Sequence, residues 1–448
     1  QQQCASGLTG GVAGGVKYGC IKKIVFKSAT ERVPDPESKG QTFSFVDYDH
    51  AAKVAGHELK GCCHALSAIL TDRLRIRPPL MVMIEYLGMR VIGMTHLPIS
   101  HETLVHGSSN RRKDVLFDAE AAADLSKVGA RLNLKAHKVF SHDGRKEFTF
   151  HTPFDLEAHR AKDGAVYALD FSRLFPPDGG GGSESETLRD FSLSRLLRPE
   201  LVATNPVSLS SDAILSREDF EEVRRASQRI PGLVVELAGE LSQLLPRAEF
   251  GDQLVFRMHQ RGINLRFFGD LLERLQFRGG SQAADWAYRV QGEMIARSFR
   301  KVVNAKLREE VISKSPQDSR IKQVIVGQLN GLLGGSPSSS SPSPRPAAIR
   351  MPRSPLSEGR APSPSPATAT AMDQEAVGRR VWEAIREDCK KRFPGAKHWN
   401  PARSDIFGVE WGPSTFLRLV TDFLGLEWYT DAWNALQDPR SYSAGRGS

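Results

Sequence analysis

HTPFDLEAHRAKDGAVYALDFSRLFPP, residues His151–Pro177, sets two charged, turn-like blocks, His151–His159 and Lys162–Pro177, around a short apolar run. Ala165–Leu169 (AVYAL) reads as a buried strand, with Asp170 and Arg173 just past its end. Strand ends suit a binding site, because the sheet holds the backbone while the following loop stays open. Carboxylates preceded by histidines at such a point are what a site in a mixed helix and sheet fold needs.

Working outward toward the amino terminus, Lys138–Phe140 and Lys146–Phe150 flank an Asp143–Gly144 turn signal. Leu116–Leu132 has helical periodicity. Leu80–Tyr86 and Met89–His96 read as a hairpin around Gly88. Asp49–Leu74 is predicted as the first long helix, with Ala52, Ala55, Leu59, Leu66, Ile69 and Leu70 at helical spacing, ended by Pro78 and Pro79. Ile21–Lys27 reads as a strand fed by the glycine-rich residues 5–20. Helices alternating with antiparallel pairs predict an α+β fold rather than a doubly wound sheet.

Toward the carboxyl terminus the polar insertion DGGGGSESE (Asp178–Glu186) precedes a mainly helical half: Arg217–Leu245, Asp252–His259, Leu265–Leu275, Ala283–Ile312 and Arg320–Leu333. Residues 335–370 hold nine prolines and ten serines, too little apolar surface to repay ordering, so disorder is expected there. Its four arginines against one glutamate make it a basic tether. Beyond it, Glu375–Phe393 and Thr415–Leu424 read as helices in a tryptophan-rich piece, either a separate unit or one that docks back on the main body. The expected parts are thus 1–177, 187–333, a linker at 334–373 and a small helical unit at 374–440.

At 448 residues the chain exceeds what one core usually organises. No run approaches the roughly 18 apolar residues of a membrane span. The five cysteines (Cys4, Cys20, Cys62, Cys63, Cys389) lack metal-finger spacing and suit a reducing compartment, so a cytoplasmic setting is expected. A net charge of +9 and a pI near 9.3 favour anionic partners such as nucleic acid, phosphates or acidic surfaces. No tandem helical period appears. The chain opens on QQQC without methionine, which is expected of a piece of a longer protein.

Several blocks recur together. AAKVAGHELKG (Ala51–Gly61), YLGMRVIGMTHLPI (Tyr86–Ile99), VHGSSN (Val105–Asn110), LNLKAHKV (Leu132–Val139), FDLEAHRAKDGAVYALDFSRLFPP (Phe154–Pro177), LLRPEL (Leu196–Leu201) and MHQRGINLRFFG (Met258–Gly269) occur in this order. In this the chain resembles the central domain of the clustered-mitochondria protein family. It departs from the family at His106, where tyrosine is usual, near Asn110, and at Ala158, which replaces a glycine and narrows any close backbone approach. The family's ubiquitin-like and tetratricopeptide-repeat regions are not seen. The resemblance implies a cytoplasmic protein needed for mitochondrial distribution, associated with messenger RNA and translation, and implies no enzyme activity.

Asp155, Glu157, His159 and Asp170 form the densest cluster of potential ligands, with Asp163 and His151 beside them. They would suffice for a divalent cation or a phosphate-bearing group. The alternative is a loop pinned by carboxylate-to-backbone and histidine-to-carboxylate bonds. A glycine-rich loop, Lys23 or Lys27 on a strand, Glu58 on a helix, a two-strand element ending near Glu85, and Asp170 follow the order of a kinase-like nucleotide site. ATP and magnesium would be its cofactors, but only Asp143 and Asp155 are available as the catalytic-loop carboxylate. Arg261 and Arg266 flank a helix start, as an anion site or an internal ion pair. Arg297, Arg300 and Lys301 lie on a long basic helix that reads as an RNA-backbone stripe or as a solvated face. The primary expectation is a non-enzymatic cytoplasmic scaffold linking mitochondria-associated proteins to messenger RNA or ribosome-associated proteins, with no cofactor. The alternative is a kinase-like nucleotide binder with weak or no phosphotransfer.

Overall fold

Apolar residues with a Leu87–Gly88 tip fold Met81–Tyr86 (β5) and Met89–Thr95 (β6) into an antiparallel hairpin, both tip residues taking positive φ (49° and 77°). The computed structural model describes residues 16–21, 23–29, 32–34, 42–44, 48–109, 113–141, 143–179, 195–244, 251–313, 318–334, 371–396, 398–402, 405 and 420. The glycine-rich residues 5–15, the basic stretch 335–370, Thr415–Leu424 apart from Val420, and Trp411, Trp428 and Trp433 lie outside them. Among the described residues, β6 pairs with Ile24–Ser28 (β2), which pairs with Val16–Ile21 (β1), giving the antiparallel order β1-β2-β6-β5. The strand expected over Ile21–Lys27 is therefore the turn and second arm of a hairpin, with Lys23 at positive φ (68°). Arg32–Pro34 (β3) and Thr42–Ser44 (β4) form a separate pair.

The first helix, Tyr48–Asp72 (α1), buries Ala51, Val54, Ala55, Glu58, Gly61, Cys62, Ala65, Ala68 and Ile69. Ala51, Val54 and Ala55 pack with Ala29 and Ile92 against the sheet. After Leu104–His106 (β7), Ala119–Arg131 (α2) starts at Asp118, whose carboxylate accepts from the Ala121 amide at 2.9 Å. His137–Phe140 (β8) and Glu147–Phe150 (β9) pair around Gly144, as the Asp-Gly signal predicts. Glu157–Arg160 (β10) and Val166–Leu169 (β11) then join β7 in the order β11-β10-β7.

Neither β10 nor β7 is legible as a strand from composition. Glu157, Ala158 and His159 are all buried in the central strand of that sheet, where charged residues persist only because they bond one another. The free edge of β11 is covered by the segment after α1: Arg77 N donates to Val166 O at 2.9 Å, and Ala168 N to Arg77 O at 3.1 Å.

Pro199–Ala203 (α3), Arg217–Gln228 (α4) and Ile230–Leu241 (α5) follow. The single helix expected over Arg217–Leu245 breaks at Arg229, because Pro231 lacks the N–H that an uninterrupted helix would use. Gly251–Gln260 (α6), Phe268–Arg278 (α7), Ser281–Ser313 (α8), Asp318–Gly334 (α9) and Ala371–Arg392 (α10) complete the described elements. Antiparallel sheets with a helical second half make the class α+β.

The chain divides into two compact units, Gln1–Leu233 with Met258–Asn264, and Val234–Arg257 with Leu265–Ser448. In the second, Trp286, Val290, Met294, Phe299 and Val303 form the buried stripe of α8, and Trp286 Nε1 donates to Leu244 O at 3.0 Å. α10 packs on α8 and α9. Trp382 Nε1 donates to Leu332 O at 3.2 Å, and Ser298 Oγ meets Cys389 Sγ at 3.2 Å. Among the described residues no helix is long and apolar enough to cross a membrane.

Candidate functional site

The end of β11 is where the first unit concentrates its buried charge. α1 can press against this point because residue 61 is glycine: a Cβ there would lie 2.1 Å from Phe171 O. The close approach brings Glu58 to the backbone, and the Phe171 amide donates to its Oε1 at 3.3 Å. Asp170 takes φ 66° just past the strand, and Ser172 Oγ donates to it at 3.1 Å. A left-handed residue is tolerable here because aspartate accepts that conformation better than most. The charges of Glu58 and Asp170 act on one another, and the Lys27 charge acts on both.

Lys27 is 5%, Glu58 1% and Asp170 7% exposed, so none of the three opens on a cleft. Burial raises Glu58 above the ordinary carboxylate value, against the pull of Lys27. Burial, then the neighbouring charges of Glu58 and Asp155, raises Asp170 well above it. Two buried carboxyls in contact share a proton more readily than they hold two charges. Glu58 Oε2 and Asp155 Oδ1 are buried without a hydrogen-bond partner.

A second network adjoins the first. Arg173 donates to Asp155 (2.7 Å) and to Asp212 (2.5 Å), and its guanidinium lies 4.8 Å from the Phe154 ring centre. Asp212 also meets His137 Nε2 at 2.9 Å and accepts from the Phe154 amide at 2.8 Å. Burial works against the charge on Asp212, but Arg173 and His137 together hold it below the ordinary value. Burial likewise disfavours the His137 imidazolium, and the bond to Asp212 overrides it and raises His137. Burial raises Asp155 despite Arg173. Each cation thus sits against carboxylates from distant parts of the chain, which pins β8, the loop after β9, the turn after β11 and the Ser210–Leu215 segment together.

On β10, His159 Nε2 meets Glu157 at 3.2 Å, and its Nδ1 lies 3.1 Å from Thr103 Oγ1 and 3.2 Å from Ser100 O. The Asp155 and Glu157 charges act on Asp170, while His159 pairs with Glu157 on β10. Among the described residues, however, no group of three His, Cys, Asp or Glu side chains is arranged to hold a metal ion. Lys23 lies exposed at the β1–β2 turn, and Lys27 is the lysine whose charge acts on Glu58. Glu85 bonds Arg90 at 2.5 Å across the β5–β6 hairpin. Asp163 caps the Ala165 amide at 3.0 Å in the β10–β11 turn.

The basic residues are placed differently again. Arg261 is half-buried. The Arg266 guanidinium lies 4.5 Å from the Phe267 ring centre. Arg297 bonds Glu293 at 2.9 Å and lies 5.9 Å from the Phe268 ring centre, while Lys301 bonds Asp388 at 2.6 Å, tying α8 to α10. Arg300 is half-buried, and burial lowers it. Lys306, Lys322, Arg380 and Lys390 are among the exposed bases nearby in sequence.

Sequence reasoning missed His137 and Asp212 as members of the network. Both stand in ordinary polar surroundings, and only their joint burial marks them.

With this geometry in place, comparison with known proteins finds two family matches on the chain. Residues 12–180 match the family described as clustered mitochondria, and residues 250–434 match that of translation initiation factor eIF3 subunit 135. Residues 12–180 thus carry the domain that the clustered-mitochondria family model describes. A clustered mitochondria protein homolog of Schizosaccharomyces pombe is 32% identical over 133 residues, covering 25% of this chain and 11% of that protein. One from Yarrowia lipolytica is 22% identical over 330 residues, covering 66% of this chain and 27% of that protein. One from Caenorhabditis briggsae is 29% identical over 167 residues, 33% of this chain and 13% of that protein. The chain thus spans between 11% and 27% of the length of these three relatives. No solved structure matches it.

Proposed function

We propose that this chain is part of a non-enzymatic cytoplasmic scaffold that acts in the intracellular distribution of mitochondria and associates with the translation machinery. The carrying observation is the presence of two matches on one chain, clustered mitochondria over 12–180 and eIF3 subunit 135 over 250–434. The first falls within the first compact unit, and the second, apart from Met258–Asn264, within the other. One unit is then read as serving the mitochondrial role and the other as docking on messenger RNA or ribosome-associated proteins. The mutual burial of Lys27, Glu58 and Asp170 supports a structural use of that cluster.

Cosedimentation of the purified chain with translation initiation complexes tests the second half. Binding is expected at low salt, with loss when Lys306, Lys322, Arg380 and Lys390 are together changed to glutamate. These exposed positions are preferable to Arg297 and Lys301, whose reversal would break packing contacts. No cosedimentation at low salt removes the translation reading. In cells, deletion of the segment encoding 12–180 is expected to collapse the mitochondrial network, and an unchanged network removes the mitochondrial one.

A second reading, a kinase-like nucleotide binder with weak or no transfer, is favoured by one observation. Lys27 on β2, Glu58 on α1 and Asp170 after β11 converge in the chain order such a site uses. Magnesium and ATP together would then raise the melting temperature of the chain, and Asp170→Asn would abolish the gain. Absence of any shift at millimolar nucleotide sinks this reading.

A further inference from the structure

The sheet β1-β2-β6-β5 packs one face against α1, through Ile92 and Met81. On its other face the alternation along β5 sets Leu80, Val82, Ile84 and Tyr86 in one row. These four side chains are 66%, 54%, 43% and 63% exposed. The apolar row continues onto the neighbouring strands, where a Cβ at Gly93 would lie within 4 Å of Val82, Phe26 and Ile24. A contiguous exposed apolar patch of this kind marks an interaction surface.

β5 is also an end strand, and among the described residues it pairs with β6 alone. Tyr86 and Met89 close the two-residue hairpin, and Thr95 N donates to Leu80 O at 3.0 Å. The even-numbered residues of β5 therefore direct their backbone groups to β6, and Met81 and Met83 direct theirs to the open edge. Edge strands are ordinarily guarded by a lysine, a proline, a bulge or shortness. β1, at the opposite edge, carries Lys17 and a register shift between Tyr18 and Cys20. β5 runs six residues, MVMIEY, in unbroken register with β6 and holds neither lysine nor proline. Its one charge, Glu85, is bonded to Arg90 at 2.5 Å.

The order of side chains along β5 selects the occupant. A two-fold axis at Met83 would set a second β5 antiparallel to the first, with Met83 opposite its own copy. In that register Val82 falls opposite Ile84 and Leu80 opposite Tyr86, so each exposed apolar side chain meets another. Glu85 falls opposite Met81. No like charges then meet at the edge, although the chain carries +9 overall. The outward backbone groups of the two Met83 residues bond one another in both directions across the axis. We infer that β5 pairs with β5 of a second copy of this chain, joining two four-stranded sheets into one continuous sheet. This goes beyond the scaffold reading and rests on neither family match.

Sedimentation equilibrium of the purified chain from about 1 to 100 μM reads the association over the range of a small interface. A reversible dimer is expected. Val82→Lys with Ile84→Lys sets lysine against lysine at both central pairs and should weaken the dimer about tenfold or more. Val82→Lys with Ile84→Glu sets opposite charges across the same pairs and should return the affinity to within about threefold of the parent. Melting curves establish that each variant folds, and Tyr86→Lys, at the exposed end of the strand, replaces the double-lysine variant if that one does not. A parent that stays monomeric to about 100 μM overturns the inference and leaves the edge to a strand of another protein. A dimer untouched by the lysines, or one that the lysine–glutamate variant does not recover, overturns the β5 pairing equally.

Discussion

Asp170 is the residue on which the buried cluster turns. Its carboxyl and that of Glu58 both lie above their ordinary values, burial being the first cause for each and, for Asp170, the neighbouring carboxylates the next. Between the ordinary value and the raised one, the native state keeps a proton that the unfolded chain has released. Stability therefore falls as pH rises through that window. Asp170→Asn keeps the left-handed backbone, which asparagine tolerates, and leaves Glu58 as the carboxylate facing Lys27. The variant should match the parent near pH 4 and exceed it at neutral pH by about 1–3 kcal/mol, the usual cost of a poorly matched buried group. Thermal melts across the pH range check this, and a variant less stable than the parent at neutral pH refutes it.

At the scale of elements, two glycines in long helices carry opposite expectations. Gly61 lets α1 meet Phe171, and an added Cβ would fall 2.1 Å from a backbone oxygen that cannot swing aside. Gly61→Ala should cost about 2 kcal/mol or more, through displacement of the helix and loss of the Glu58 bond. Gly292, within α8, has nothing within 4 Å of where a Cβ would stand. Gly292→Ala should stabilise by up to about 1 kcal/mol, because alanine gives up less backbone entropy in a helix. Urea unfolding of both variants measures the contrast, and equal effects would contradict the packing described for α1.

For the whole molecule, the division into units is interleaved. Met258–Asn264 belongs to the first unit although it lies beyond residues of the second. Gly262, at φ 73°, approaches Leu201 so closely that a Cβ would lie 2.5 Å from the Leu201 Cβ, and Met258 and Ile263 are fully buried. A chain ending at residue 233 should therefore unfold at lower urea than one ending at 264. Loss of one large buried side chain alone costs about 2–5 kcal/mol. Identical midpoints would show that the segment adds nothing to that unit.

The sequence by itself determined the elements set by near neighbours: the hairpins at Gly88 and Gly144, the α1 helix, the AVYAL strand and the long α8. Periodicity and turn sterics act over a few residues, so each is legible where it stands. The grouping of Lys27, Glu58 and Asp170 was readable only as an order of motifs, without saying which lysine takes part or that all three are buried. The tertiary structure alone decided that β10 is a central strand despite its charges, and that Arg173 and His137 meet at Asp212. It alone turned Lys301 toward Asp388, 87 residues away. The Glu58–Phe171 bond joins residues 113 apart and the Arg173–Asp212 bond residues 39 apart. A charge has no local signature of its partner, because the pairing is fixed by which helices and strands pack, and packing is decided by the whole core.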